Sequence, residues 1–193
     1  MAATVEPDAK KRREGEEWTI HPTAGEIAKI WGNCCHEDDL VLRDDTVDLL
    51  RRFVGQVLVA LMQIRASDPD VVACARGWLT GDLGEYAAQE MTKARTKFLS
   101  DQFVGVLDRR EALRSLFDVS EEDSVVLSAL MEYICAELLE LGGNTARASE
   151  FTRILPKHLH HAVHFDTELA AVNARWQVCP VHASAYTSAS DCK

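Results

Sequence analysis

The stretch Asp118-Val-Ser-Glu-Glu-Asp123, continued by Ser124-Val-Val-Leu-Ser-Ala-Leu130-Met-Glu-Tyr-Ile-Cys-Ala-Glu-Leu-Leu-Glu-Leu141, places Val126, Leu130, Ile134, Leu138 and Leu141 at intervals of about four residues, the period of one helical face. The segment from Asp118 to Asp123 is an acidic cap for such a helix, because the positive end of the backbone dipole favours anions there. Gly142-Gly143-Asn144 is expected to weaken its end. A helix of roughly 20 residues is about 30 Å long, and the apolar stripe along it needs a partner of similar length.

Working outward, the first half of the chain supplies that partner. After Asp44-Asp45, the residues Val47, Leu50, Phe53, Val54, Val57, Leu58, Leu61 and Ile64 mark a second long amphipathic helix. A short helix from Ala24 to Cys35, carrying Ile27, Ile30 and Trp31, precedes it, and Ser67-Asp68-Pro69 stops it, since proline disfavours helix in the residue before it and suits the first turn of the next. Val71 to Trp78 forms one more short helix, Thr80-Gly81-Asp82 breaks it, and Leu83 to Leu99 is a further helix. In the second half Arg109 to Leu116 is a short helix, Leu155-Pro156-Lys157-His158 opens another through Val163, and Asp166 starts one that ends near Arg175. Strand alternation is confined to Trp176–Val178. The expected fold class is therefore all-α, with two short-long-short units whose long helices cross and bury each other's stripes.

With 193 residues, 47% of them hydrophobic, the chain can bury a core, which excludes disorder over its length. The formal charge of −10 is the wrong sign for coating nucleic acid by bulk electrostatics, so any such contact must be local. No apolar run reaches the roughly 18 residues of a membrane span and the N-terminus reads as charged, so a soluble, intracellular, non-secreted protein with no membrane partner is expected. Residues 1–17 read as a disordered tail containing Lys10-Lys11-Arg12-Arg13, a run compatible with nuclear import or with a plain solvated charge cluster. The six cysteines, Cys34, Cys35, Cys74, Cys135, Cys179 and Cys192, lack a disulfide framework and read as reduced thiols. Neither Cys34-Cys35-His36 nor Cys179 with His182 has the paired spacing of a zinc site, and no metal or cofactor is expected.

The stretch Leu130 to Arg147, with Thr152-Arg153-Ile-Leu-Pro-Lys-His-Leu159 and Asp166-Thr-Glu-Leu169, resembles the long central helix, second loop and third helix of a 2A-type core histone. Gln102-Phe103 is similar to the approach to that family's first helix. In the first half, Gly81-Asp-Leu-Gly-Glu-Tyr-Ala-Ala-Gln-Glu-Met-Thr-Lys-Ala-Arg-Thr-Lys-Phe98 resembles the C-terminal helix of a 2B-type core histone, and Leu50 to Leu61 fits its central helix more loosely. Together the halves look like a histone doublet of the large DNA viruses of amoebae, in a small, acidic version. The resemblance implies two tandem histone folds forming an intramolecular pseudo-heterodimer, a handshake: 18–99 of the 2B type, 100–178 of the 2A type, and 179–193 as a flexible tail. A linker of a few residues between Leu99 and Gln102 raises the effective concentration of one half around the other to about millimolar, and Phe103 is expected to pack under the joint.

The resemblance also implies sites. Thr152 and Arg153 match the second-loop Thr-Arg pair that meets DNA; Arg109, Arg110 and Arg114 on the first short helix are further candidates whose alternative is a solvated helical face, as are Lys93 and Lys97, which also suit the dipole at the C-terminal end of their helix. The acidic segments Ser120–Asp123 and Ser67–Asp70 stand where loops of the family are basic, so contact with double-stranded DNA should be sequence-nonspecific and weak for the chain alone. An acidic patch receptive to arginine-bearing peptides falls on Asp82, Glu90, Glu132, Glu137, Glu140, Asp166 and Glu168, since one guanidinium satisfies two carboxylates; the bland alternative is acidic helices in an acidic protein. Arg175-Trp176-Gln177-Val178 resembles the strand that docks companion histones of the type 4 and type 3 kind, as a second doublet. His158, His160, His161 and His164 share one short helix, a spacing open to metal or to a partly exposed face that charges below about pH 6.5.

No nucleophile–base pair, Gly-rich phosphate loop or paired-acid motif is present, so no enzyme is expected. Two functions remain: a structural chromatin protein that joins a nucleosome-like particle and packages viral DNA, in virions, host nucleus or viral factory, or an acidic histone-fold module that binds histones, chaperones or transcription components with little DNA contact.

Overall fold

A computed structural model describes residues 20–34, 40–65, 70–102 and 105–176. Eight helices occupy them: α1 (Ala24–Cys34), α2 (Asp44–Ile64), α3 (Val71–Leu79), α4 (Gly81–Leu99), α5 (Arg110–Phe117), α6 (Glu121–Ala148), α7 (Pro156–Phe165) and α8 (Thr167–Trp176). The two-residue strands β1 (Val41–Leu42) and β2 (Arg153–Ile154) pair in parallel, Val41 opposite Arg153 and Leu42 opposite Ile154. The described residues are all-α apart from this bridge, and none of their helices is long and apolar enough to cross a membrane.

The helix starts follow their local chemistry. Ser120 caps α6, its hydroxyl accepting the Asp123 amide at 3.0 Å, with Glu121, Glu122 and Asp123 in the first turn. Asp70 caps α3 by accepting the Val72 amide at 3.1 Å, and Thr23 and Glu26 bond reciprocally at the start of α1. Such caps satisfy amides that have no partner inside the helix.

The long helices α2 and α6 cross as the hydrophobic period requires. Phe53 and Ile134 are both buried in one continuous core, together with Leu50, Leu58, Leu130 and Leu138. The N-terminus of α2 lies beside β2, which follows α6: the Thr46 hydroxyl donates to the Ile154 carbonyl at 2.8 Å. The C-terminus of α2 lies beside the start of α6, where Arg65 pairs with Asp123 at 2.8 Å. This antiparallel crossing, with segments paired at its ends, is the arrangement that the expected intramolecular handshake requires. At 21 residues α2 is shorter than the 28-residue α6, and α4, α7, α5 and α1 also pack along α6.

Three expectations are corrected here. Gly142 and Gly143 do not weaken α6, which continues to Ala148. Both are buried, and a β-carbon on them would meet Leu159 Cδ2 at 2.6 Å and Trp31 Cη2 at 3.2 Å; they are small so that α7 and α1 can approach. The break before α4 is Thr80 alone, at φ 59°, because Gly81 and Asp82 already belong to that helix. Trp176 closes α8 as helix instead of opening a strand, and Gln177 and Val178 lie outside the described residues, as do Phe103, Pro69 and the basic run Lys10–Arg13. The strand pairing that does form, β1 with β2, left no alternation in the sequence because two residues are too few to show a period.

Candidate DNA and histone interface

The bridge between β1 and β2 forms the first candidate surface. Thr152 and Arg153 are exposed there, and the Thr152 carbonyl accepts the Val41 amide at 3.2 Å. The backbone of this loop is thereby fixed while the Arg153 side chain points to solvent with no ion pair to a described residue. Lys157, at the start of α7, lies 3.9 Å over the Phe151 ring, an attraction between a cation and the negative face of the π system. Arg43 precedes α2 and pairs with Asp45 at 2.7 Å.

The arginines expected on the first short helix of the second half separate. Arg114 is exposed. Arg110 pairs with Asp108 at 3.2 Å and reaches Glu121 at 4.0 Å. Arg109 is turned inward: its guanidinium pairs with Glu26 of α1, with the side chains only 18% and 14% exposed. Of the arginines expected to meet DNA, Arg109 is thus the one held by a shielded carboxylate of its own chain. Lys93 is tied to Glu90 at 2.5 Å, and Lys97 is exposed near the end of α4.

The acidic side chains expected to form one patch sort by what they touch. Glu137 is half-buried and its carboxyl is raised above the usual range, by burial first and by Glu140 next, with Asp166 and Glu168 adding and a hydrogen bond from Tyr133 opposing. Four carboxylates, Glu137, Glu140, Asp166 and Glu168, thus share a field of one sign. Tyr133 lies among them, its phenol pushed up by burial and by Glu137. Two of these acids also bind backbone. Asp166 caps α8, accepting the amides of Glu168 and Leu169 at 3.0 and 2.8 Å. Glu168 crosses to the start of α4 and accepts the amides of Asp82 and Leu83 at 2.7 and 2.6 Å. Gly81, at φ +58°, leaves the space for it, because a β-carbon would overlap the Glu168 carboxylate. Asp82 is exposed beside this contact. Glu132 faces elsewhere, accepting the amides of Val106 and Leu107 at 2.9 and 3.3 Å, and Glu90 is neutralised by Lys93.

The histidine helix is also corrected. His158 is 2% exposed and its Nδ1 accepts the Leu155 amide at 3.1 Å, with Phe151 edge-on at 5.0 Å. Burial, with Lys157 and His161 adding, lowers it to about 4, so it does not charge near pH 6.5. His161 and His164 are exposed and flank Phe165, with ring centroids 4.2 and 5.0 Å away. Among the described residues no group of three or more His, Cys, Asp or Glu side chains could hold a metal ion.

Sequence reasoning missed the ion pairs that join distant segments. Arg65 with Asp123, and Arg95 with Glu122 at 2.8 Å and Asp70 at 3.6 Å, bring α2, α4 and α6 together. Only the topology places these partners side by side; the acidic start of α6 was the one visible hint.

No family model matches the chain. It is similar to a histone doublet H2B-H2A of Melbournevirus, 38% identical over an alignment of 118 positions that covers 52% of this chain and 44% of the relative. The chain therefore spans less than half the length of that curated relative. The likeness to a histone doublet of the amoeba-infecting giant viruses, carried by residue motifs in both halves, is thus matched by a known protein.

Proposed function

Taking kinship with a viral histone doublet as the premise, we propose that the chain is a structural chromatin protein, a fused histone pair that joins companion histones of the type 4 and type 3 kind in a nucleosome-like particle and packages viral DNA. Its own affinity for duplex is weak and sequence-nonspecific. The observation that carries this is the self-contained pairing of the two halves: α2 lies across α6, and Thr46, Val41 and Leu42 are bonded to the Thr152–Ile154 segment. A pair complete within one polypeptide needs no second chain before it meets DNA or a companion. Thr152 and Arg153 provide the phosphate contact. The halves divide at the turn after Leu99, where the Gln102 amide donates to the Lys97 carbonyl at 2.8 Å. The carboxylates of Glu137, Glu140 and Asp166 receive arginine-bearing peptides. Virion, host nucleus and viral factory are the compartments this role implies.

A second reading, an acidic histone-fold module that binds histones or their chaperones with little DNA contact, is favoured by the net charge of −10 and by the number of arginines already paired within the chain. Titration of a labelled duplex with the chain alone, and then with type 3 and type 4 histones present, separates the two. Weak binding alone and tight binding in company supports the particle. No binding in either case supports the module.

A further inference from the structure

The two ends of the crossed long helices differ in what their cations are doing. At the bridge end, Arg153 is exposed without an ion pair to a described residue, Lys157 is held only over an aromatic face, and Arg43 pairs with a half-exposed carboxylate. At the opposite end the guanidiniums of Arg65, Arg95 and Arg110 each face carboxylates of their own chain: Asp123, then Glu122 with Asp70, then Asp108 with Glu121. Arg65 and Asp123 are 21% and 16% exposed, so this pair is shielded from solvent.

We propose that the chain grips duplex DNA at one end only, through Arg153 and Lys157 beside the β1–β2 bridge, and that the end where α2 meets α6 is closed to phosphate by its own ion pairs. This rests on the DNA-binding reading above. Two effects close the second end. A phosphate approaching Arg65 or Arg95 must displace a carboxylate, which then remains beside the phosphate as a like charge. The first turn of α6 is also filled by Glu121, Glu122 and Asp123, which occupy the positive pole of the helix that would otherwise attract an anion. The first turn of α2 is acidic too, with Asp44 and Asp45. There, however, Arg43 engages Asp45, and Arg153 stands on the neighbouring strand with no such partner. A duplex held at the bridge therefore leaves the surface before it reaches the far end.

The test uses the full chain and an end-labelled duplex at low salt. With p-benzoylphenylalanine at position 41 or at position 121, both exposed, irradiation is expected to label DNA from position 41 and not from position 121. Arg153→Ala should weaken binding several-fold and reduce the slope of log K against log salt by about one. Arg65→Gln, with helicity checked, should leave both unchanged. Equal labelling from position 121, or affinity that falls with Arg65→Gln and not with Arg153→Ala, overturns the one-ended grip while leaving DNA binding standing. A chain that binds no duplex at low salt overturns the DNA reading and this proposal with it.

Discussion

The hydroxyl of Thr46 and the carbonyl of Ile154 are 2.8 Å apart although 108 residues separate them in the chain. Both are fully buried, so neither group has water as an alternative partner, and the bond fixes the start of α2 against the strand that follows α6. Thr46→Val keeps the shape and removes the donor. It should destabilise the protein by about 1–3 kcal/mol, the cost of leaving a buried carbonyl unsatisfied. Urea denaturation measures the loss, and an unchanged midpoint would show that the bond contributes nothing.

Gly84 tests close packing between helices. In an exposed helix, alanine is favoured over glycine by about 1 kcal/mol. Here a β-carbon would meet the Arg76 carbonyl oxygen at 2.5 Å, and this backbone atom cannot swing aside as a side-chain tip can. Overpacking of this kind costs about 1–3 kcal/mol. Gly84→Ala is therefore expected to lower Tm by several degrees, and a raised Tm would mean that α3 can shift.

His158 makes stability depend on pH. Its folded value of about 4 lies below the ordinary 6.5, so between these values the unfolded chain binds the proton and the folded chain does not. Stability contributed by neutral His158 is full above about pH 6.5 and is lost as pH falls toward 4. His158→Asn, which retains an acceptor for the Leu155 amide, should flatten that fall in denaturation midpoints measured from pH 7 to pH 4.5. An equally steep fall in the variant would assign the effect to other groups.

Glu137 runs the other way. Its carboxyl is raised in the folded protein, so the folded state holds the proton more tightly, and stability from this group is present at low pH and declines as pH rises through the raised value. Glu137→Gln keeps an acceptor for the Tyr133 phenol and removes a charge set among Glu140, Asp166 and Glu168. The variant should be more stable than the parent at pH 7 and bind an arginine-bearing peptide less well, read by denaturation and by titration. A less stable variant at pH 7 would contradict the assigned strain.

Arg109 separates a structural from a binding role. Arg109→Ala leaves the shielded Glu26 carboxylate without its cation and should cost about 2 kcal/mol, with no change in duplex affinity. A variant that is equally stable but binds DNA less well would restore the role its sequence position suggested.

How much could be read beforehand depended on the range of the interaction. The period of Val126, Leu130, Ile134, Leu138 and Leu141, and that of Val47 to Ile64, was visible because a helical face is written in local spacing. The crossing of the two followed from the need of each stripe for cover. Three features were not readable. The β1–β2 bridge is too short to carry a pattern. Gly142 and Gly143 look like helix breakers until Leu159 and Trp31 are seen against them. The fate of some charged side chains depends on a partner far away in sequence: Arg109 is sealed against Glu26, 83 residues away, whereas Arg153 faces solvent. The acidic residues themselves were legible as positions, whereas the use of Glu168 and Glu132 as backbone clasps was not.

The turn after Leu99, closed by the Gln102 amide on the Lys97 carbonyl, has an outcome for turnover. With both halves on one polypeptide, their ratio is set at translation, and neither can be evicted or replaced while the other stays. On the chromatin role proposed above, machinery that removes the chain from DNA lifts the pair as a unit, and remodelling of its complexes is all-or-nothing.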